Sequence, residues 1–525
     1  MKAAKTNRRR FLRAIAAGAA ALALPQTLLA VRSALPAAAG KGRPNILFIM
    51  ADDHAANAIG CYGSRLNRVA KTTNIDRIAA EGMRLNNCFC TNSICVPSRA
   101  TILTGQYSHV NGVYTLADEL DPKRQTVAKL LQEAGYQTAV IGKWHLTSEP
   151  SGFDYWNILP GQGRYHNPVM KEKDKDEKTH EGFSTDIITD LSLEWLKKRD
   201  KQRPFFLMTH FQSPHAPWHF AERHADLYGD VEIPEPESLW EDKSHRSPGS
   251  RDYGLTVSKT LVSQMQEPNY PTGQLDTTDM DERQKTRAAY QKYLKDYLRC
   301  VAAIDENVGK LLNFLSNEKL DADTVVIYTS DQGLFLGEHD YMDKQWMYEE
   351  SLRMPFLVRY PKEIKPGTVN DDIIINADFA PTFLDYGGAP APSDIQGRSF
   401  RANLQGRTPE DWRTSMYYRY WQHGDRPAHY GLRTKRNKLI FFYGLPLDMK
   451  GADKVALATL EEPTKVGWEL YDLKTDPFEL NNVYDHPAYG KVLKKLKAEL
   501  LEKKKELGDT DDKYPQMVEL VKKYW

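Results

Sequence analysis

Cysteine is scarce, with five in 525 residues (Cys61, Cys88, Cys90, Cys95 and Cys300), too few for a fold held by disulfides. Cys88 and Cys90 are separated by a single residue, so there is no C-x-x-C metal or redox pattern; whether any of the five pair stays open. Net charge is also missing: 71 basic residues against 70 acidic ones leave +1. No global field therefore draws the chain to nucleic acid, and any affinity for anions must be local. Beyond the first 40 residues no run is long and apolar enough to span a bilayer, and no internal repeat marks an array. What is there is ordinary for a globular protein, 41% hydrophobic and 27% charged, and long enough for two or more structural units.

The first 40 residues read as a targeting segment. Asn7-Arg8-Arg9-Arg10-Phe11-Leu12-Arg13 precedes an Ala/Leu run from Ala14 to about Leu24, then Pro25 and a mostly small, apolar stretch to Ala39. The run is short of the roughly 20 residues of a spanning helix, so no stable membrane anchor is expected. The basic cluster closely resembles a twin-arginine export motif. That resemblance implies twin-arginine export machinery as a partner, cleavage after Ala30 or Ala39, and a periplasmic or extracellular location.

Further on, apolar runs alternate with helical patterns. Residues 45–51, 138–141, 204–211 and 324–329 read as strands buried on both faces, with 354–360 as a fifth. Residues 74–82, 126–134 and 186–198 read as helices, and 283–315 is the longest, with Tyr290, Leu294, Tyr297, Val301, Ile304 and Val308 on one stripe. The alternation predicts an α/β fold with a large, mostly parallel sheet flanked by helices. After about Pro409 short strands follow one another at 415–420, 430–434, 438–443 and 469–473. They predict a smaller C-terminal antiparallel sheet subdomain packed by a terminal helix at 488–505. The expected division is 1–40 signal segment, 41–405 catalytic α/β domain and 406–525 C-terminal α+β subdomain. Residues 219–280, rich in Pro, Gly and charge, are expected as a long surface excursion and a candidate lining of a substrate site.

Four buried strands run into polar clusters: Asp52-Asp53, Lys143 with His145, His215, and Asp331-Gln332. In open α/β sheets ligands bind beyond the carboxyl ends of the strands, so these clusters are expected to converge. A lone Asp reads as a cap or turn residue, and a lone Lys or His as a solvated or satisfied side chain. Two adjacent carboxylates after a buried strand, however, repel unless a cation neutralises them. Asp52, Asp53, Asp331 and Gln332 offer only oxygen, which selects a hard cation, Ca2+ or Mg2+.

The stretch that organises the rest is 91–105, Thr-Asn-Ser-Ile-Cys-Val-Pro-Ser-Arg-Ala-Thr-Ile-Leu-Thr-Gly. Pro97 suits a first helical turn and Gly105 a helix stop. Cys95 then sits at a helix N-terminus, where N–H groups and the dipole favour a developing anion. Arg99, one turn on, adds a fixed positive charge to the same face. Buried structural cysteine is the commoner fate of a free thiol. Cys95-x-Pro97-Ser98-Arg99 followed by Thr104-Gly105 nevertheless matches the signature that directs conversion of cysteine to formylglycine, and in this the chain resembles the type I sulfatases of the alkaline-phosphatase superfamily. Lys143-Trp144-His145, His215-Ala216-Pro217 and Lys344 in Asp343-Lys344-Gln345 match further patterns of that family.

The resemblance implies a sulfuric ester hydrolase whose nucleophile is formylglycine, made from Cys95 by a maturation enzyme. It implies Asp52, Asp53, Asp331, Gln332 and residue 95 as metal ligands, with Gln332 standing where the family most often has Asn. Cys95, Arg99, His145 and His215 carry over as catalytic residues and Lys143 and Lys344 as sulfate-binding ones; His339 takes a supporting role. Twin-arginine routes carry folded proteins, and the family makes formylglycine on the unfolded chain. The two resemblances together imply oxidation of Cys95 in the cytoplasm.

The stretches 417–423 and 428–435 resemble bacterial sulfatases of the N-acetylglucosamine-6-sulfatase type. They imply 6-O-sulfated N-acetylglucosamine in glycosaminoglycan or mucin-type glycans as substrate, with His423 and Arg433 contacting the sugar. A strand edge with core aromatics accounts for the same residues equally well. Arg433, Lys435, Arg436 and Lys438 are expected as a surface face. Three alternatives remain: a sulfatase of another sulfated polysaccharide, such as an algal one; a phosphoester hydrolase of the same superfamily; and a non-catalytic binder of sulfated glycan.

Overall fold

The alternation within the first strand divides the molecule into layers. In a computed structural model, β1 (Asn45–Ala51) turns Ile46, Phe48 and Met50 into one apolar cluster and Leu47, Ile49 and Ala51 into another. The structure describes residues 42–421, 426–444, 447 and 463–525; the signal segment 1–40 and His423 lie outside them. All the described residues belong to one compact unit, Ala39–Trp525.

In chain order β1 is followed by α1 (Thr73–Ala80), β2 (Met83–Leu85), α2 (Cys95–Thr104), α3 (Val127–Glu133), β3 (Gln137–Lys143) and β4 (Tyr155–Leu159). Then come β5 (Val169–Glu172), β6 (Glu177–Thr179), α4 (Ser184–Lys198), β7 (Phe205–His210), α5 (Glu282–Asn317) and β8 (Thr324–Ser330). β9 (Phe356–Arg359), β10 (Thr368–Asn370) and α6 (Phe379–Gly387) complete this part. The ten strands form one sheet in the order β10-β2-β9-β8-β1-β7-β3-β4-β5-β6. Its centre, from β8 to β4, is parallel, with antiparallel partners only toward the edges.

Leu103 of α2, Leu131 of α3 and Phe383 of α6 pack with Phe48 on one face, while Ile75 of α1, Ile188 of α4 and Leu311 of α5 pack with Leu47 on the other. Each such fully buried side chain contributes about 1.5–3 kcal/mol, so the two-sided burial of β1 anchors the sheet. Register brings the strand ends level. Ala51 faces Ser330, Met50 faces His210, and His210 faces Gly142. The residues that follow these ends therefore emerge together on one side of the sheet, as the α/β pattern predicted.

α5 is 36 residues long and opens with a capping box in which Asp281 and Gln284 each accept a backbone N–H at 2.8 Å. The 219–280 stretch is not merely a surface excursion. Ile233, Leu239, Leu261 and Met265 are buried against Tyr290, Tyr293 and Leu294 of α5. Ile233 and Leu239 anchor it singly, while Leu261 and Met265 lie one turn apart on a short helical segment, 257–265, too brief to stand out as a period.

The second sheet is antiparallel and follows chain order: β11 (Ser415–Tyr420), β12 (His429–Thr434), β13 (Asn437–Phe442) and β14 (Gly467–Asp472). α7 (Gly490–Leu507) packs on it through Leu496 and Leu500, and an unforeseen helix, α8 (Pro515–Tyr524), follows. Tyr417, Tyr418, Tyr420 and Trp421 are buried core residues rather than an exposed sugar platform. The basic run is likewise not a surface face. Lys438 is fully buried between Glu479 at 2.7 Å and Glu349 at 3.0 Å, and only Lys435 and Arg436, in the hairpin turn, are exposed. A buried ammonium requires such partners. The five cysteines are unpaired, and among the described residues no helix is long and apolar enough to cross a membrane.

Candidate active site

Cys95 is the first residue of α2, which starts after the extended Ile94 (φ −154°) and stops on the left-handed Gly105 (φ 68°), as the flanking Pro97 and Gly105 predicted. The helix start is held against the end of β8: the Ser98 hydroxyl donates to the Asp331 carbonyl and accepts from Asn376 Nδ2 at 2.9 Å. Cys95 Sγ lies 3.2 Å from Asp52 Oδ1 and 3.6 Å from Gln332 Nε2. Burial pushes this thiol well above its ordinary range, so an unmodified Cys95 is a poor nucleophile near neutrality.

Three carboxylates share the space beside it. Asp52, Asp53 and Asp331 are buried and each brings an oxygen within 4.8 Å of the others. Asp53 is turned inward by a left-handed backbone (φ 68°). Tyr297 Oη locks that turn, accepting from Ala55 N and donating to Asp53 O, both at 2.9 Å. Burial, with the Asp331 charge behind it, raises the Asp53 carboxyl to about 6. Gln332 Nε2 reaches Asp53 Oδ1 at 2.5 Å, while its Oε1 is buried without a partner. Crowded carboxylates and an orphaned amide oxygen fit a hard divalent cation.

Basic groups face this cluster. Arg99 donates from Nε to Asp331 Oδ2 at 2.9 Å and from Nη1 to Lys143 O at 2.7 Å. Lys143 Nζ contacts Asp52, and Lys344 Nζ lies 2.6 Å from Asp53 Oδ2. His215 Nε2 is 3.7 Å from the same Asp53 oxygen, and its Nδ1 is 2.7 Å from Ala216 O. Burial, then the Lys344 and Lys143 charges, holds His215 well below its usual range. His145, left-handed at φ 56°, has a buried Nδ1 without a partner and is brought down to about 2 by burial, Lys143 and Arg99.

Two further residues are held by carboxylates of their own. Arg433 pairs with Glu349 at 3.1 Å and lies over the Phe89 ring, 4.3 Å from its centroid. His339 is buried against Glu241 at 2.5 Å and Glu350 at 3.7 Å, bracing the segment that leads to Lys344. Sequence reading missed Gln162, whose Oε1 accepts from Lys143 Nζ at 2.5 Å. Its signal was the pair of flanking glycines, both left-handed (Gly161 φ 57°, Gly163 φ 75°). Arg426, 2.5 Å from Asp343 beside Lys344, carried no such signal.

A parallel sheet whose level ends collect three carboxylates, a buried cysteine at a helix start and facing lysines, arginine and histidines is the architecture of an alkaline-phosphatase-like hydrolase. The chain belongs to the sulfatase family. The family described as Sulfatase matches residues 44–389, and that described as N-sulphoglucosamine sulphohydrolase, C-terminal, matches 337–506. The chain is 41% identical over 533 residues to N-acetylglucosamine-6-O-sulfatase of Bacteroides thetaiotaomicron, covering 93% of this chain and 91% of that protein. An arylsulfatase of Clostridium perfringens is 25% identical, over 92% of this chain and 98% of its own length. A solved structure in complex with its substrate, D-glucosamine-2-N,6-O-disulfate, is 40% identical with a TM-score of 0.81, covering 89% of this chain and 99% of that one.

Proposed function

We propose that this sulfatase removes the 6-O-sulfate of N-acetylglucosamine or N-sulfated glucosamine in glycosaminoglycan or mucin-type glycans. The observation that carries the reading is the 41% identity with an N-acetylglucosamine-6-O-sulfatase across 93% of the chain. Formylglycine derived from Cys95, as its hydrate, supplies the nucleophile at sulfur, and Ca2+ or Mg2+ supplies neutralising charge. Asp52, Asp53, Asp331 and Gln332 are the ligands for the cation. Arg99, Lys143 and Lys344 grip the sulfuryl oxygens, the two lysines exchanging carboxylate oxygens for substrate ones. His215 protonates the departing alcohol oxygen. His145, kept neutral by burial and by Lys143 and Arg99, accepts the proton whose removal expels sulfate.

The test is desulfation of a panel of defined sulfated saccharides by matured protein, with phosphate esters alongside. Release from 6-O-sulfated glucosamines alone is the expected result; release only from galactose or uronic acid esters, or only from phosphate esters, would overturn it. Residues 1–40 direct twin-arginine export in this reading, so replacing Arg8, Arg9 and Arg10 by lysine should hold the chain in the cytoplasm.

A further inference from the structure

A groove of about 630 Å3 lies between the segment that carries Trp240 and Lys243 and the turn that runs from Arg251 to Thr260. The chemistry above does not use it, yet it is tied to the segment that delivers Lys344. Met342 N donates to Leu255 O at 3.1 Å, and Thr256 bridges to Tyr341.

Its charges are unevenly satisfied. Every carboxylate in it is engaged. Glu241 accepts from Arg246 Nε at 2.8 Å and lies 2.5 Å from His339 Nδ1. Asp242 accepts from Ser244 N at 3.0 Å and Ser244 Oγ at 2.8 Å. Asp252 pairs with Lys465 at 2.9 Å, and Asp340 accepts from Ser258 N at 2.9 Å and Ser258 Oγ at 2.5 Å.

The two lysines are not engaged in that way. Lys243 Nζ rests on the Tyr341 ring, 3.9 Å from its centroid. Among the described residues no carboxylate comes within 4.0 Å of it or of Lys259 Nζ; Asp340 faces both from farther off. Burial, with Arg246 behind it, lowers the Lys243 ammonium to about 8, as expected of a cation short of counter-charge. Trp240 and Tyr253 add aromatic surface to the same groove.

Two lysines that no carboxylate approaches within salt-bridge distance, with Asp340 facing both from farther off, stand beside aromatic walls and can hold the anionic group of an acidic sugar. We propose that this groove is a second saccharide site, taking an anionic residue of the polymer whose carboxylate or sulfate is held between Lys243 and Lys259. The inference rests on the sulfated-glycan reading above and extends it from the reacting sugar to the chain that bears it.

The test is the matured enzyme carrying Lys243→Ala and Lys259→Ala, with Lys243→Arg and Lys259→Arg as the charge-keeping pair. Affinity for heparin and for hyaluronan, a uronate polymer without sulfate, is measured by calorimetry, beside turnover of the 6-sulfated monosaccharide. Loss of two charge contacts, one half-buried at Lys243 and one exposed at Lys259, should weaken polymer binding about tenfold, leave monosaccharide turnover unchanged, and be restored by arginine. A deficit on both polymers assigns the carboxylate to the groove, and a deficit on heparin alone the sulfate. Unchanged affinity for both polymers would overturn the proposal. Wild-type protein inert on the monosaccharide would sink the substrate reading instead, with the binding arm still deciding the groove.

Discussion

Cys95 Sγ lies 3.2 Å from Asp52 Oδ1, so the first residue of α2 and the first residue beyond β1 share one buried space. A thiol offers that carboxylate one weak hydrogen bond, whereas the hydroxyls of a hydrated aldehyde offer stronger ones.

Replacing Cys95 with Ala or Ser is therefore expected to leave the fold intact and lower turnover by on the order of 10^4 or more. Peptide mass spectrometry of active protein should show an aldehyde at position 95. An intact thiol in fully active enzyme contradicts this.

Chelation should remove turnover and lower the thermal midpoint together, because a cation shared by Asp52, Asp53 and Asp331 ties the ends of two strands and offsets their crowding. A cation present at about 100 times its dissociation constant stabilises the fold by roughly 2.7 kcal/mol. Asp331→Asn should blunt the effect of added cation on the midpoint. A midpoint and a rate indifferent to chelator would argue against any ion there.

If His215 protonates the leaving oxygen, its loss should depend on what leaves. His215→Gln is expected to slow hydrolysis of a sugar sulfate by about 10^2 to 10^4-fold, and that of a nitrophenyl sulfate, whose anion departs unaided, far less. Equal losses on both substrates would reassign His215 to binding.

Gln162 holds Lys143 from a loop bracketed by left-handed glycines. Losing one hydrogen bond to a charged group costs about 1.5 kcal/mol, so Gln162→Ala should lower kcat/KM roughly tenfold and the thermal midpoint by no more than that one bond accounts for. Gln162→Glu, which keeps an acceptor, should recover part of it.

Acid stability should have an identifiable source in Asp509. It accepts from Arg419 Nη1 and Tyr417 Oη, both at 2.6 Å, joining β11 to the end of α7. Burial works against its charge, but Arg419 and then His109 prevail and hold the carboxyl at about 2, below its ordinary 3.8. The stability it contributes is thus complete above 3.8 and is lost as pH falls through about 2. Asp509→Asn should destabilise the protein at neutral pH by about 3 kcal/mol and flatten that acid limb in denaturant titrations.

Much of the fold was readable because its causes are local. Strand β1 alternates into two cores, α2 has Pro97 in its first turn and stops on Gly105, and Asp52 and Asp331 directly follow buried strands. Their convergence followed from a parallel sheet alone, since parallel neighbours finish on the same side. The 219–280 stretch misled because its buried residues are single anchors and one helical segment of nine residues, 257–265, and Arg433 and Lys438 because a run of basic residues looks the same whether solvated or paired.

The chain by itself determined where Cys95 and the carboxylates of Asp52 and Asp331 stand, since a helix start and a strand end are set by near neighbours. Only tertiary structure decided which charges meet. Lys344 reaches Asp53 across 291 positions and Lys143 reaches Asp52 across 91, while Arg433 turns aside to Glu349. Ion pairing falls off with separation in space and has no memory of separation along the chain, so no sequence pattern carries it.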